Sequence, residues 1–109
     1  MAAGNFASAA NAQSLAGQEG NKRYPPQFPS SPKDPCKLAY KAYVAASGHS
    51  AYAQTTSGRT YQAEAFFCGI ARNAPSIKAA EERALADCKS LSKKYKMRTL
   101  GACSVYASK

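Results

Sequence analysis

The sequence predicts an α+β domain: a small antiparallel sheet of three to four strands with one long amphipathic helix packed on it, in β-β-α-β order and stapled by disulfides. Three observations carry this. Apolar side chains recur at steps of three and four from Ile77 to Tyr95, the period of a helix with one buried face. Alternating segments at 37–46, 60–71 and 102–108 read as strands. Four cysteines, Cys36, Cys68, Cys88 and Cys103, are spread through a chain of 109 residues, and a core this small gains little surplus stability without cross-links.

Residues 1–35 are predicted to be a disordered or extended arm, and 36–109 a single domain. The arm is rich in Ala, Asn, Gln, Gly and Ser, then in proline, with five of the six prolines between Pro25 and Pro35. Its few large apolar residues, Phe6, Leu15, Tyr24 and Phe28, bury too little surface to offset chain entropy.

"KLAYKAYVAA" (37–46) opens the domain as a strand, with Leu38, Tyr40, Ala42 and Val44 on one face and Lys41 and Tyr43 on the other. "SGHS" (47–50) and "TSGR" (56–59) are turn signals, and "AYAQT" (51–55) between them is the candidate for a further short strand. "TYQAEAFFCGIA" (60–71) carries Phe66, Cys68 and Ile70 on one face and Ala65 and Phe67 on the other. Aromatic weight on both faces predicts a central strand. Ser76 is the expected N-cap of the helix, which carries Ile77, Ala80, Ala84, Leu85, Cys88, Leu91 and Tyr95 on its buried stripe. Glutamates lie early and lysines late along it, as the helix dipole favours. "ACSVYAS" (102–108) closes the chain as a strand, with Cys103, Val105 and Ala107 sharing a face.

No two cysteines form a Cys-x-x-Cys pair, which argues against a zinc knuckle or a thioredoxin-like motif. Two disulfides in an oxidising compartment are expected; four buried free thiols are the competing reading. Cys88 and Cys103 both fall on core-facing positions with a chain reversal between them, so their bridge would staple helix to sheet. Closing a loop of this length is worth roughly 3 kcal/mol. Cys36 then pairs with Cys68, which requires 37–46 and 60–71 to be antiparallel neighbours, with 47–59 mostly a wandering connection. A meander with Cys36 joined to Cys88 or Cys103 is the alternative.

Fifteen Lys and Arg stand against six Asp and Glu, a formal charge of +9. This favours acidic partners: an acidic protein, an envelope polyanion or nucleic acid. The sharpest feature is "KSLSKKYKMR" (89–98), where Lys89, Lys93, Lys94, Lys96 and Arg98 surround Tyr95. Basic residues interleaved with an aromatic can track a phosphate backbone or dock on an acidic surface. A solvated helix end is the bland reading. Tyr43, Tyr52, Tyr61 and Tyr106 offer a second binding face opposite the helix, or simply suit strands.

Enzyme chemistry is not expected. His49 is the sole histidine and falls in a turn signal, and Glu81 and Glu82 are adjacent on a helix and diverge. No glycine-rich phosphate loop occurs, and neither metal nor cofactor is expected. No apolar run is long enough to span a membrane. The triplets Ala7-Ser8-Ala9 and Ala10-Asn11-Ala12 have the small-x-small pattern of a signal-peptidase site, so the chain is expected to begin inside or just after a removed export signal.

"YKAYVAAS", then "SIKAAEERALADC", then "CSVYAS" resembles a broad group of small, exported, uncharacterised domains of Gram-negative bacteria. Their pattern is a strand, an S-x-x-x-A-E-x-x-A-L-x-x-C helix and a strand opening on cysteine. The resemblance covers about the last 70 residues. It implies a periplasmic or secreted α+β domain and carries no active site to transfer. Departures are the long 47–67 region with Cys68 and the strongly basic helix end. The function expected is a non-catalytic binding module for a protein or anionic envelope component. The alternatives are a nucleic-acid binder using 89–98, or an enzyme inhibitor inserting 47–59.

Overall fold

Residues 37–45 are helical, not the strand that the alternation over 37–46 suggested, and Ala46 is the extended cap that ends the helix. Asp34 caps the helix, its carboxylate accepting from the Lys37 N–H at 2.9 Å, and Pro35 occupies the first turn, where it needs no hydrogen-bond partner. Burial then follows steps of three and four: Cys36 and Tyr43 are buried, with Ala39, Tyr40 and Val44 packed beside them. Leu38, which alternation placed inside, is 51% exposed.

The computed structural model describes residues 14–26, 28, 34–56, 67–95 and 100–109. Its elements are β1 (Asn21–Lys22), α1 (Pro35–Ala45), β2 (His49–Thr56), β3 (Cys68–Ala74), α2 (Ile77–Tyr95) and β4 (Leu100–Ser108). The order is therefore β-α-β-β-α-β with two helices, in place of the expected β-β-α-β with one. The four strands form one antiparallel sheet in the order β1-β4-β2-β3.

The segment expected as a wandering connection holds the central strand. Ser50 to Thr55 are all buried, because α2 lies on one face and α1 on the other. Ala51 and Ala53 face α2 and meet Ala80, Ala84, Cys88, Ala71 and Ala74; Tyr52 faces α1 with Tyr43, Cys36 and Ala107. Small residues on both sides let α2 sit close to the sheet. At Gly69 the approach leaves no room for a side chain, since a Cβ there would collide with the backbone of Ala84 and Cys88. The buried polar groups of β2 are satisfied: Tyr52 donates its hydroxyl to Gln54 Oε1, Gln54 Nε2 donates to the Thr55 carbonyl, and Thr55 Oγ1 accepts from the Phe67 N–H.

β3 begins at Cys68 and lies at the sheet edge, not its centre as 60–71 was expected to. The expected positions 60–66 lie outside the described residues. Ser76 caps α2, its hydroxyl accepting from the Ala79 N–H at 3.1 Å. On α2 the buried positions are Ala80, Ala84 and Cys88; the ends of the expected stripe, Ile77 and Tyr95, are 44% and 52% exposed. The last strand shows one further correction. Cys103 packs on the α2 face and Ala107 on the α1 face. The register jumps from Tyr52↔Ala107 to Ala53↔Val105, leaving Tyr106 as the extra residue of a bulge, and the side chains change faces across it.

Both expected disulfides are present: Cys36–Cys68 with Cα atoms 5.7 Å apart, and Cys88–Cys103 with 6.1 Å. The second joins α2 to β4. The first joins β3 to the first turn of α1, not to a neighbouring strand.

Within the expected 1–35 arm, residues 14–26 lie against the domain. Leu15 and Gly17 donate their N–H groups to the carbonyls of Ser47 and Val44, and β1 pairs with the end of β4. Arg23 meets the Glu81 carboxylate at 2.6 Å, and the Glu19 carbonyl accepts the Tyr43 hydroxyl at 2.6 Å.

Candidate functional site

The carboxy-terminal half of α2 presents the predicted basic cluster in part. Lys89, Lys93, Lys94 and Tyr95 are exposed on it; Lys96 and Arg98 lie outside the described residues, as does Arg59. Helical spacing splits the lysines. Lys89 and Lys93 continue the row of Glu81 and Leu85, which winds about 40° further round at each step, so that Lys89 lies on the outer part of that flank and Lys93 faces away from the buried Ala84–Cys88 side; Lys94 falls on the opposite flank with Asp87. The Lys94 ammonium lies 5.3 Å from the centre of the Tyr95 ring, and that ring stacks on Phe67 with centroids 6.1 Å apart.

Among the described residues the ion pairs are Lys22–Glu19 and Arg23–Glu81, so none of the three lysines is paired. Two acids of the same helix, Asp87 and Glu81, are engaged elsewhere. Asp87 accepts from the Ile70 N–H at 3.1 Å. Glu81 accepts from Ser108 Oγ at 2.7 Å as well as from Arg23. Arg72 is exposed on β3, at the other edge of the sheet.

The tyrosine face expected opposite the long helix exists but is covered. Tyr43 of α1 and Tyr52 beneath it are fully buried against each other, so they form core rather than binding surface. Burial, with the Glu19 carboxylate adding to it, pushes the Tyr43 hydroxyl up to about 12. Tyr106 is half-buried with the Tyr24 ring tilted against it, centroids 5.2 Å apart, and Tyr61 lies outside the described residues.

Two features gave no signal in the sequence. One is an open recess of about 480 Å³ between the arm and α1, lined by Glu19, Lys22, Pro25, Pro26, Phe28 and Tyr40. In it the Tyr40 hydroxyl donates to Glu19 Oε1 at 2.6 Å, which, with Lys22 alongside, holds that carboxyl below the usual glutamate range. The other is Lys109. Its buried ammonium donates to the carbonyls of Leu15, Gln18, Val44 and Ala46 at 2.7–3.1 Å.

His49 is the half-buried first residue of β2, its Nδ1 3.4 Å from the Lys109 carbonyl, and not an exposed loop residue. Residues 49–56 are core strand, so they do not form the inserting loop that an inhibitor reading of 47–59 requires; 57–59 lie outside the described residues. No group of three or more His, Cys, Asp or Glu side chains able to hold a metal occurs among the described residues.

Among the described residues no helix is long and apolar enough to cross a membrane. The two disulfides fit an oxidising, non-cytoplasmic compartment. Comparison with family models, with curated proteins and with solved structures finds no match for the chain.

Proposed function

We propose that the chain is an exported, non-catalytic binding module of the periplasm or the cell exterior. Its partner is acidic, a protein or an anionic envelope component, and the basic half of α2 engages it. One observation carries the reading: Lys89, Lys93 and Lys94 stand exposed with no carboxylate paired to them among the described residues. Unpaired charges of one sign, on a chain of net charge +9, draw anionic partners and speed their encounter. The non-catalytic part rests on the side chains. All four cysteines are cross-linked, and the sole histidine sits half-buried beside a backbone carbonyl.

The test is binding of heparin and of poly-L-glutamate to the disulfide-bonded chain across a salt series. Binding should be measurable at low salt, weaken steeply as salt rises, and fall at least tenfold in Lys89→Glu/Lys93→Glu/Lys94→Glu. The substituted residues are exposed, so circular dichroism should be unchanged. No binding of either polyanion at low salt would end the proposal.

A second reading, single-stranded nucleic acid, is favoured by the half-exposed Tyr95 ring, supported from behind by Phe67 and flanked by lysines. It predicts that Tyr95→Ala weakens binding of a single-stranded oligonucleotide but leaves heparin binding unchanged.

A further inference from the structure

The sheet has an edge along β3 and, on its other side, along the part of β4 that the short β1 leaves uncovered, and the chain treats the two differently. Along β3, the Asp87 carboxylate takes up the Ile70 N–H, and Asn73 adopts a left-handed conformation at φ 56 that distorts the strand near its end. Such a capped, bent edge resists further pairing. Along β4 the arm covers one end only. Asn21 and Lys22 pair with Ser108 and Ala107, and Arg23 donates its N–H to the Tyr106 carbonyl at 2.8 Å. Pro25 and Pro26 follow; lacking an amide hydrogen, they cannot continue the ladder. From Ala102 to Val105 the outer edge of β4 has no strand partner among the described residues, and Ala102 and Ser104 are exposed.

The ground beside this open length is basic. α2 crosses β4 with Glu81 bonded to Ser108 at one end and Cys88 joined to Cys103 further along. Lys89 follows Cys88 directly, on the outer part of the Glu81 flank and so on the β4 side of the helix; Lys93, a turn further on, faces away from the sheet.

We propose that an extended, acidic segment of a partner protein adds to the outer edge of β4 along Ala102–Val105, in line with β1, with a carboxylate meeting Lys89. This rests on the reading of the chain as a binder of acidic partners and states how such a partner is held. Backbone pairing supplies affinity that tolerates sequence, and Lys89 selects for negative charge. A second copy of this chain fits badly. Each copy carries a net charge of +9, so pairing β4 to β4 would bring like charges together. A sulfated or phosphorylated polymer has no peptide ladder to offer and would engage the lysines alone.

The test uses the intact, disulfide-bonded chain with three probes: a ten-residue peptide alternating Glu and Val, the same peptide N-methylated at its five central amides, and heparin. The unmodified peptide should bind and slow hydrogen exchange of the open amides between Ala102 and Val105 at least tenfold, leaving β3 unchanged. N-methylation should weaken binding at least tenfold, as should Lys89→Glu, whereas Lys93→Glu should weaken it less. The proposal is overturned by no peptide binding, by binding without protection at 102–105, or by equal binding of the methylated copy. Heparin binding alongside any of these outcomes would leave the basic-surface reading standing; loss of both would remove that reading too.

Discussion

The Lys109 ammonium sits over the Tyr43 ring, 5.2 Å from its centre, while donating to four backbone carbonyls drawn from the arm, the end of α1 and its cap. A single side chain thus ties together segments far apart in sequence. The carbonyls of Val44 and Ala46 also belong to a helix end, where positive charge is favoured. Lys109→Met keeps most of the apolar stem and removes every one of these bonds. It should cost about 2–4 kcal/mol, since buried carbonyls lose a charged donor. The arm should loosen before the sheet does. Hydrogen exchange at Leu15 and Gly17, whose amides bond Ser47 and Val44, should rise far more than at β2. Unchanged protection at both amides would show that the arm docks without the ammonium.

Asp34→Ala tests the helical identity of 35–45. Loss of an N-cap acceptor should lower stability by about 1 kcal/mol in urea denaturation, and Asp34→Asn or Asp34→Ser should recover most of it. An exposed residue preceding a strand would show no such rank order.

Part of the fold was legible in the sequence, and the misreadings of the chain path have physical causes. Ser76 as a cap, both cysteine pairs and a closing strand within Leu100–Ser108 depend on local chemistry and spacing. "KLAYKAYVAA" satisfies both an alternating pattern and steps of three and four, because alanine and tyrosine fit either. The Asp34-Pro35 pair arbitrates between them, for it caps a helix and suits its first turn. "HSAYAQTT" looked like turn and short strand because it is half polar. Its burial depends on Gln54 and Thr55 bonding to Tyr52 and Phe67, which only the assembled sheet provides. Exposure of Lys89, Lys93 and Lys94 followed from helical spacing. The Lys109 cage and the recess around Tyr40 depend on the arm folding back, and no local pattern signals that.

The two cross-links should differ in weight. Cys36–Cys68 closes a separation of 32 residues and Cys88–Cys103 one of 15. In the chain-entropy model these are worth roughly 4 and roughly 3 kcal/mol. Double serine substitutions should therefore lower the urea midpoint more for the first pair than for the second. Intact mass after alkylation should shift only when reductant is present; alkylation of the unreduced chain would refute both bridges.

Glu19 gives the fold one site of acid sensitivity. The Tyr40 hydroxyl first, then Lys22, hold its carboxyl below the usual glutamate value, and the same contact, after burial itself, raises Tyr40. A carboxyl whose folded value is depressed adds stability that is present above the unfolded value, near 4.3, and is lost as pH falls through the folded value. Glu19 is exposed, so the effect is local and should appear at the arm rather than in global unfolding. In an NMR titration the Glu19 carboxyl should titrate below the ordinary range, and the Tyr40 ring signals should move with it. Tyr40→Phe deletes the first of these causes and leaves Lys22 in place, so the titration should rise toward the usual value without fully reaching it. If Glu19 titrates at the ordinary position in the unsubstituted chain, then the hydroxyl is not bonded to it in solution, and the arm does not close the recess over α1.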